Sequence, residues 1–183
     1  WYRSRGLGDV YKRQVYYSIA QDDDNERALV LYRQVLELDP ESATAQLGVS
    51  QALSRSVCQF NRGGLRLEEA ERIAKKLIAR QQILADAHGA LGYSYDCRGW
   101  VDLAINEYRL GLVHQADHAQ LISALAYLLM IKGELADALA MNLSLFQREQ
   151  DLNLLQIQLA STLSLLDYQT MAESILAKEF ALS

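Results

Sequence analysis

The sequence contains almost no proline: Pro40 is the only one in 183 residues. Proline breaks helices, because it lacks a backbone N–H and its ring clashes with the preceding turn. Glycine is limited to 10 residues, whereas good helix formers such as Leu, Ala, Gln and Glu are abundant. A chain with few helix breakers and many helix formers is predicted to be helical throughout.

Several other features are absent, and each absence excludes a class of function. The formal net charge is −5, so there is no basic excess for binding nucleic acid. No apolar run reaches the length of about 18 residues that spans a membrane, and no signal-peptide pattern is recognisable. The two cysteines, Cys58 and Cys97, say little about the compartment, and we expect buried free thiols. The compartment stays open, with a cytoplasmic location favoured.

The first residues form a segment that differs from the rest of the chain. The sequence begins with Trp1 rather than Met, and YRSRGLGDVYKRQ has no helical spacing of apolar residues. It resembles a translated sequencing adapter at the end of a metagenomic gene fragment. We therefore interpret residues 1–14 as non-native and assign residues 15–183 to one helical repeat domain. On this interpretation, the natural protein extends upstream.

A regular spacing of small residues runs through that domain. One series of alanines has gaps of 34 residues after a first gap of 42: Ala28, Ala70, Ala104, Ala138 and Ala172. A second series of small residues repeats this pattern, again with a first gap of 42: Ser50, Gly92, Ala126 and Ala160. Two series that share one long gap indicate a 34-residue repeat with a single insertion of 8 residues within 54–67.

The repeat resembles the tetratricopeptide repeat (TPR), a pair of helices with small residues at two fixed positions. The match is best over residues 85–118, where the residues at the family's positions are Leu91, Gly92, Tyr95, Gly99, Ala104 and Tyr108. Pro40 occupies the closing proline position, so we expect it to end one repeat and Ala43 to begin the next. Asn142 replaces an aromatic residue and Asp167 replaces a turn glycine. The resemblance covers about residues 15–180.

The resemblance implies a fold. A TPR domain is an all-α solenoid of antiparallel helix pairs, wound into a right-handed superhelix. Four to five repeats are expected in this chain. Each unit cannot bury its apolar face alone, so neighbouring units must stack. The small residues are expected where helices cross closely, because a larger side chain would overpack the contact.

The insertion interrupts this regular pattern. RSVCQFNRGGLRL continues the helical spacing at Val57 and Phe60 and then reaches Asn61-Arg62-Gly63-Gly64. We expect a first helix that is longer by about two turns and is ended by a glycine-rich cap. A tolerated variation in length and a protruding contact made by Phe60 and Arg62 both stay open as interpretations.

No catalytic or metal site is recognisable. His114 and His118 have the i, i+4 spacing of two metal ligands, but they fall where a helix is expected to end, and no third ligand is evident. Asp22-Asp23-Asp24 lacks the alternation and the glycine of a calcium loop, and we expect it to cap a helix. Phosphate loops, nucleophile elbows and zinc-hydrolase motifs are absent. We expect no enzymatic activity, no cofactor and no metal.

The family resemblance also implies a binding surface, because the first helices of TPR units line a groove that binds peptides. The residues at the groove-facing slots, or one turn further on, are Tyr17, Gln51, Tyr93, Asp96, Tyr127, Met130 and Ser161. Tyrosine suits such a surface because it gives broad contact at little entropic cost. Asp96 and the negative net charge favour a neutral or basic ligand with apolar anchors. The alternative is that the tyrosines pack within or between helices.

Two functional classes follow from this resemblance. In the first, the chain is a protein–protein interaction scaffold that holds a peptide or partner protein of unknown identity in its groove. In the second, it is the sensory or oligomerising part of a larger bacterial protein, since the repeat spacing resembles helical regions of winged-helix regulators and nucleotide cyclases. We expect no nucleic-acid partner for this region and no membrane segment within it.

Overall fold

The computed structural model describes residues 21–147 and 153–180 of the chain. These residues form nine helices and no strand. Helix α1 occupies residues 21–38 of the described range. The other helices are α2 (Ala43–Cys58), α3 (Leu65–Ala79), α4 (Leu84–Cys97), α5 (Val101–His114), α6 (Ala119–Lys132), α7 (Leu135–Phe146), α8 (Asn153–Leu165) and α9 (Gln169–Phe180). The predicted all-α class is confirmed, and the segment 1–14 lies outside the described residues.

The chain divides into two compact units, one ending at Gly99 and the other beginning at Trp100. Unit 1 contains α1 to α4, and α2, α3 and α4 all pack on one another. Unit 2 contains α5 to α9, in which each helix packs against the next. Short loops join these helices, so the pairs α2/α3, α6/α7 and α8/α9 are antiparallel, as predicted.

The small residues of the two periodic series are structural. The following are at most 2% exposed: Ser50, Ala70, Ala104, Ala126, Ala138, Ala160 and Ala172. The hydroxyl of Ser50 donates a hydrogen bond to the backbone carbonyl of Ala70 at 2.8 Å, so α2 and α3 approach closely at this point. There is no room for a larger side chain at such a crossing. The spacing of small residues therefore follows from the packing of the helices.

The first predicted helix boundary is confirmed. Helix α1 ends at residue 38, and Pro40 lies in the turn that follows. Ser42 caps α2, because its side-chain oxygen accepts a hydrogen bond from the N–H of Ala45 at 3.4 Å. The side chain of Gln46 donates to the carbonyl of Pro40 at 2.7 Å and fastens the turn to the new helix.

The turns that follow α4, α6 and α8 share one backbone conformation. Gly99, Gly133 and Asp167 follow one another at 34-residue intervals, and their φ angles are +74°, +81° and +67°. Glycine adopts this left-handed conformation without steric cost, and aspartate tolerates it better than most residues. The turn position is thus a backbone requirement that Asp167 meets even though it departs from the family's residue type.

The insertion takes a different course from the one that we predicted from the sequence. Helix α2 ends eight residues after its small residue Ser50, and α4 ends five residues after Gly92, so α2 continues only three residues further. The loop 59–64 is three residues longer than the loop 98–100, and α3 begins two residues earlier than α5 relative to its alanine. The expected extension of α2 by two turns is therefore wrong.

Asn61 explains why α2 stops early. Its φ angle is +52°, which ends the helix before the two glycines are reached. The N–H groups of Asn61 and Arg62 then donate to the carbonyls of Val57 and Ser56, each at 3.0 Å. Asparagine provides the left-handed helix end that we assigned to Gly63 and Gly64.

Candidate functional site

The predicted groove residues lie on the first helices, outside the hydrophobic core. On α2 and α4, Gln51 is exposed, and Tyr93 and Asp96 are half-buried. On α6, Tyr127 is 42% exposed. The remaining predicted residues in the described ranges, Met130 and Ser161, are half-buried. Tyr17 lies outside the described residues.

Helices α2 and α4 lie side by side in unit 1. The hydroxyl groups of Ser54 and Ser94 are hydrogen-bonded at 2.7 Å. One turn further along both helices, Cys58 and Cys97 form a disulfide, with their Cα atoms 5.3 Å apart. Because the serine contact precedes the cysteine contact along both helices, α2 and α4 run parallel here. They present Gln51, Arg55, Tyr93 and Asp96 on what we call the α2/α4 face.

The disulfide contradicts our expectation of buried free thiols. Cys58 is exposed and Cys97 is half-buried, and the two sulfur atoms are bonded. Cys58 is the last residue of the short extension that the insertion adds to α2. Their sequence separation of 39 residues gives no sign of pairing, because the proximity depends on the length of α2 and on its packing against α4.

The insertion is also bound to α1 by two arginines. The guanidinium of Arg62 donates to both carboxylate oxygens of Asp22 at 2.5 to 3.2 Å. That of Arg66 donates to both oxygens of Glu26 at 2.5 and 3.3 Å. Arg62 is therefore paired, which argues against the interpretation that it forms a protruding contact. Asp22 lies within α1 and binds an arginine, so the predicted helix cap at residues 22–24 is not formed.

The α2/α4 face contains an unusual carboxylate. Burial raises the pKa of Asp96, and among the described residues its carboxylate has no hydrogen bond or ion pair. Burial also raises the pKa of Tyr93, an effect that the nearby Arg55 opposes and Asp96 reinforces. By contrast, the buried Glu71 accepts a hydrogen bond from Arg98 at 2.5 Å.

Helices α6 and α8 also contact each other, in unit 2. The hydroxyl of Ser123 donates to Gln158 at 3.2 Å, and that of Thr162 donates to the sulfur of Met130 at 3.5 Å. Met130 is thus engaged between the two helices. Beside this seam lies what we call the α6/α8 face, formed by Tyr127, Ile131, Ser161 and Leu165.

Three residues of these faces were missed in the sequence analysis. Arg55 is exposed on the α2/α4 face, and Ile131 and Leu165 are 54% and 60% exposed on the α6/α8 face. Each lies four residues after a predicted groove residue, which is one helical turn. The sequence therefore contained the information. We counted three residues from Tyr127, which gives Met130 at the α6/α8 contact, whereas counting four gives the exposed Ile131.

The candidate metal ligands do not come together. Helix α5 ends at His114, and His118 precedes the first residue of α6, so the two do not share one helical face. Within residues 21–147 and 153–180, no group of three or more His, Cys, Asp or Glu side chains is placed to hold a metal ion. None of the helices found in those ranges is long and apolar enough to cross a bilayer.

No protein-family model and no curated protein matches the sequence. Solved structures do match it. MamA aligns with a TM-score of 0.63 at 15% identity, over 88% of this chain and 90% of that protein. YrrB, a TPR protein with an unusual peptide-binding site, aligns with a TM-score of 0.58 at 19% identity, over 87% and 78% of the two chains.

PilW, a type IV pilus biogenesis factor, aligns with a TM-score of 0.66 at 22% identity, over 87% of this chain and 72% of that protein. The chain has the tetratricopeptide-repeat fold. The TPR fold accounts for the 34-residue period, the buried small residues and the left-handed turns described above. At these identities, the likeness to the three TPR structures concerns the fold alone.

Proposed function

We propose that this TPR chain is a protein–protein interaction scaffold that binds peptides, or extended segments of a partner protein, on exposed faces of its first helices, the α2/α4 face within unit 1 and the α6/α8 face within unit 2. The observation that carries the proposal is the contrast among its tyrosines. Tyr108 fills a packing position and is only 3% exposed, whereas Tyr127 is 42% exposed and Tyr93 is half-buried. Partly exposed tyrosines offer both an apolar ring and a hydroxyl to a ligand.

The α6/α8 face supports binding through apolar contacts. Tyr127, Ile131 and Leu165 are exposed large hydrophobic residues on two adjacent first helices. Exposed apolar residues that cluster on one surface are typical of interaction sites. A few such residues usually provide most of the energy of an interface. We therefore expect the ligand to carry apolar side chains for this face.

The solved structures give further support of a general kind. YrrB has a peptide-binding site on a TPR fold, which makes a peptide ligand a reasonable choice for this chain. Nothing in the described part of the chain favours the alternative of a sensory or oligomerising region in a larger regulator or cyclase.

The proposal is tested by selecting ligands from a displayed library of random peptides and replacing both tyrosines. The variant Tyr93→Ala/Tyr127→Ala should lose binding to the selected peptides, while its melting temperature falls only slightly. Tyr108→Ala is the matched control for a packing tyrosine, and it should lose roughly 3–5 kcal/mol of stability. Undiminished binding by the double variant, or early melting like that of Tyr108→Ala, would contradict the proposal.

A further inference from the structure

The carboxylates of unit 1 differ in whether they have a partner. Asp22, Glu26 and Glu69 are half-buried and each accepts hydrogen bonds from an arginine, and the buried Glu71 does so as well. Taking a carboxylate out of water costs free energy unless a hydrogen bond or an opposite charge replaces the lost solvation. Asp96 is half-buried too, but it has no such partner in the described part of the chain.

We propose that Asp96 and Tyr93 form a subsite for one basic side chain, Lys or Arg, of the bound peptide. The inference rests on the proposed function and specifies the chemistry of the ligand at the α2/α4 face. A guanidinium or ammonium group would give Asp96 the charged hydrogen-bond partner that its neighbours in unit 1 already have.

Tyr93 suits the same ligand group. It lies three residues before Asp96 on α4, so the two side chains are neighbours on one helical face. An aromatic ring attracts a cation placed over its face. Unit 1 already contains such a pair, since the ammonium of Lys75 lies 5.6 Å from the ring centre of Tyr95.

Arg55 limits the subsite to a single basic residue. It is exposed on α2, it has no ion pair among the described residues, and its charge acts on Tyr93. A second cation next to the first would be repelled by Arg55, whereas a carbonyl or carboxylate of the ligand would be attracted.

The disulfide fixes the spacing of these groups. Cys97 follows Asp96 directly, and Cys58 lies three residues after Arg55 on the neighbouring helix. The bond therefore joins α2 and α4 at the level of the two charges. A site whose parts are held in place before the ligand arrives loses less entropy on binding.

Peptide selection tests the subsite when it is carried out on three proteins. The wild type should select random peptides enriched several-fold in Lys or Arg at one position, and Asp96→Asn should select peptides without this enrichment. Glu37→Gln is the charge-matched control, because Glu37 is exposed on α1 of the same unit and has no partner in the described residues. It should keep the enrichment if the preference comes from Asp96 rather than from the net charge of −5.

A double-mutant cycle, with one change in the protein and one in the best selected peptide, gives the second readout. Asp96→Asn should weaken its binding roughly 10-fold or more, since hydrogen bonds to charged groups contribute about 1.5–3 kcal/mol. Replacing the basic residue of the peptide by norleucine should cost a similar factor, and the two changes together should cost no more than either alone. Additive losses would overturn the subsite.

The outcomes separate this inference from the proposed function. Peptides selected without a basic preference, or an equal loss of preference in Glu37→Gln, would overturn the Asp96 subsite and leave the scaffold in place. Failure of the wild type to select any peptide would overturn the proposed function and the subsite with it. Asp96→Asn should melt no earlier than the wild type, so loss of the preference is not explained by unfolding.

Discussion

Unit 1 has a disulfide in addition to its apolar core, and this bond has no counterpart in unit 2. In unit 1, the disulfide joins α2 to α4, and Arg62 and Arg66 bind the insertion to α1. Unit 2 contains no cysteine, because both cysteines of the chain precede Gly99. Its most completely buried large side chains are leucines: Leu125, Leu128, Leu129, Leu145 and Leu159. Leu53 and Leu77 are just as completely buried in unit 1, so its cross-links add to an apolar core that both units have.

The exposed faces of the two units also differ in chemistry, because one is charged and the other is apolar. The α2/α4 face has charged groups at Arg55 and Asp96, whereas the α6/α8 face has Tyr127, Ile131 and Leu165. The buried small residues are alike in both units, since the repeat fixes where the helices cross. The comparison shows that the repeat leaves the exposed positions of the first helices open to different chemistry.

Removing the disulfide should produce the largest difference in stability between the two units. The variant Cys58→Ser/Cys97→Ser should destabilise unit 1 by roughly 2–4 kcal/mol, because the bond closes a long loop in the unfolded chain. Hydrogen exchange should show faster opening of α2 and α4, with α6 and α8 unchanged. Reductant added to the wild type should have the same effect. An equal change in both units would contradict the division between them.

Overpacking a helix crossing should affect both units alike. Ala70 in unit 1 and Ala104 in unit 2 are both fully buried. Replacing either by leucine should cost roughly 1–3 kcal/mol in chemical denaturation, because the crossing belongs to the repeat itself. Ala136→Leu, at an exposed position of α7, is the matched control and should change stability little. A loss confined to one unit would show that the crossings are not equivalent.

The smallest effect is expected from neutralising Asp96. Burial raises its pKa, so the folded protein holds this proton more tightly than the unfolded chain, and the ionised carboxylate costs stability. This cost is fully present above the folded pKa, and it vanishes as the pH falls below the unfolded value of about 3.9. Asp96→Asn should therefore melt slightly later than the wild type at pH 7, and the difference should disappear in acid. Earlier melting at pH 7 would reveal a stabilising partner for Asp96.

The repeat could be predicted from the sequence because its signal is local and recurs. The small residues at Ala70, Ala104 and Ala138 report close helix crossings wherever they occur, and Pro40 marks a helix end by its own geometry. The course of the insertion was less predictable, since α2 ends where Asn61 adopts a left-handed conformation. Asparagine adopts the left-handed conformation more readily than most residues, but its presence in a sequence does not require that conformation.

The disulfide and the faces depend on tertiary structure. Cys58 reaches Cys97 only because α2 continues three residues further beyond its small residue Ser50 than α4 does beyond Gly92, and because the two helices pack side by side. Disulfides are typical of oxidising compartments. The exposure of Ile131 and Leu165 follows from how α6 and α8 turn toward each other, which the spacing along one helix does not specify.

The central claim is that the ligand lies on the first helices, and photo-crosslinking tests it most directly. A selected peptide that carries benzoylphenylalanine in place of an apolar residue would be irradiated in complex with the full chain. Mass spectrometry would then identify the modified segments. We expect adducts on the α2/α4 face or the α6/α8 face. Adducts confined to the second helices of the pairs, α1, α3, α5, α7 and α9, would contradict the account.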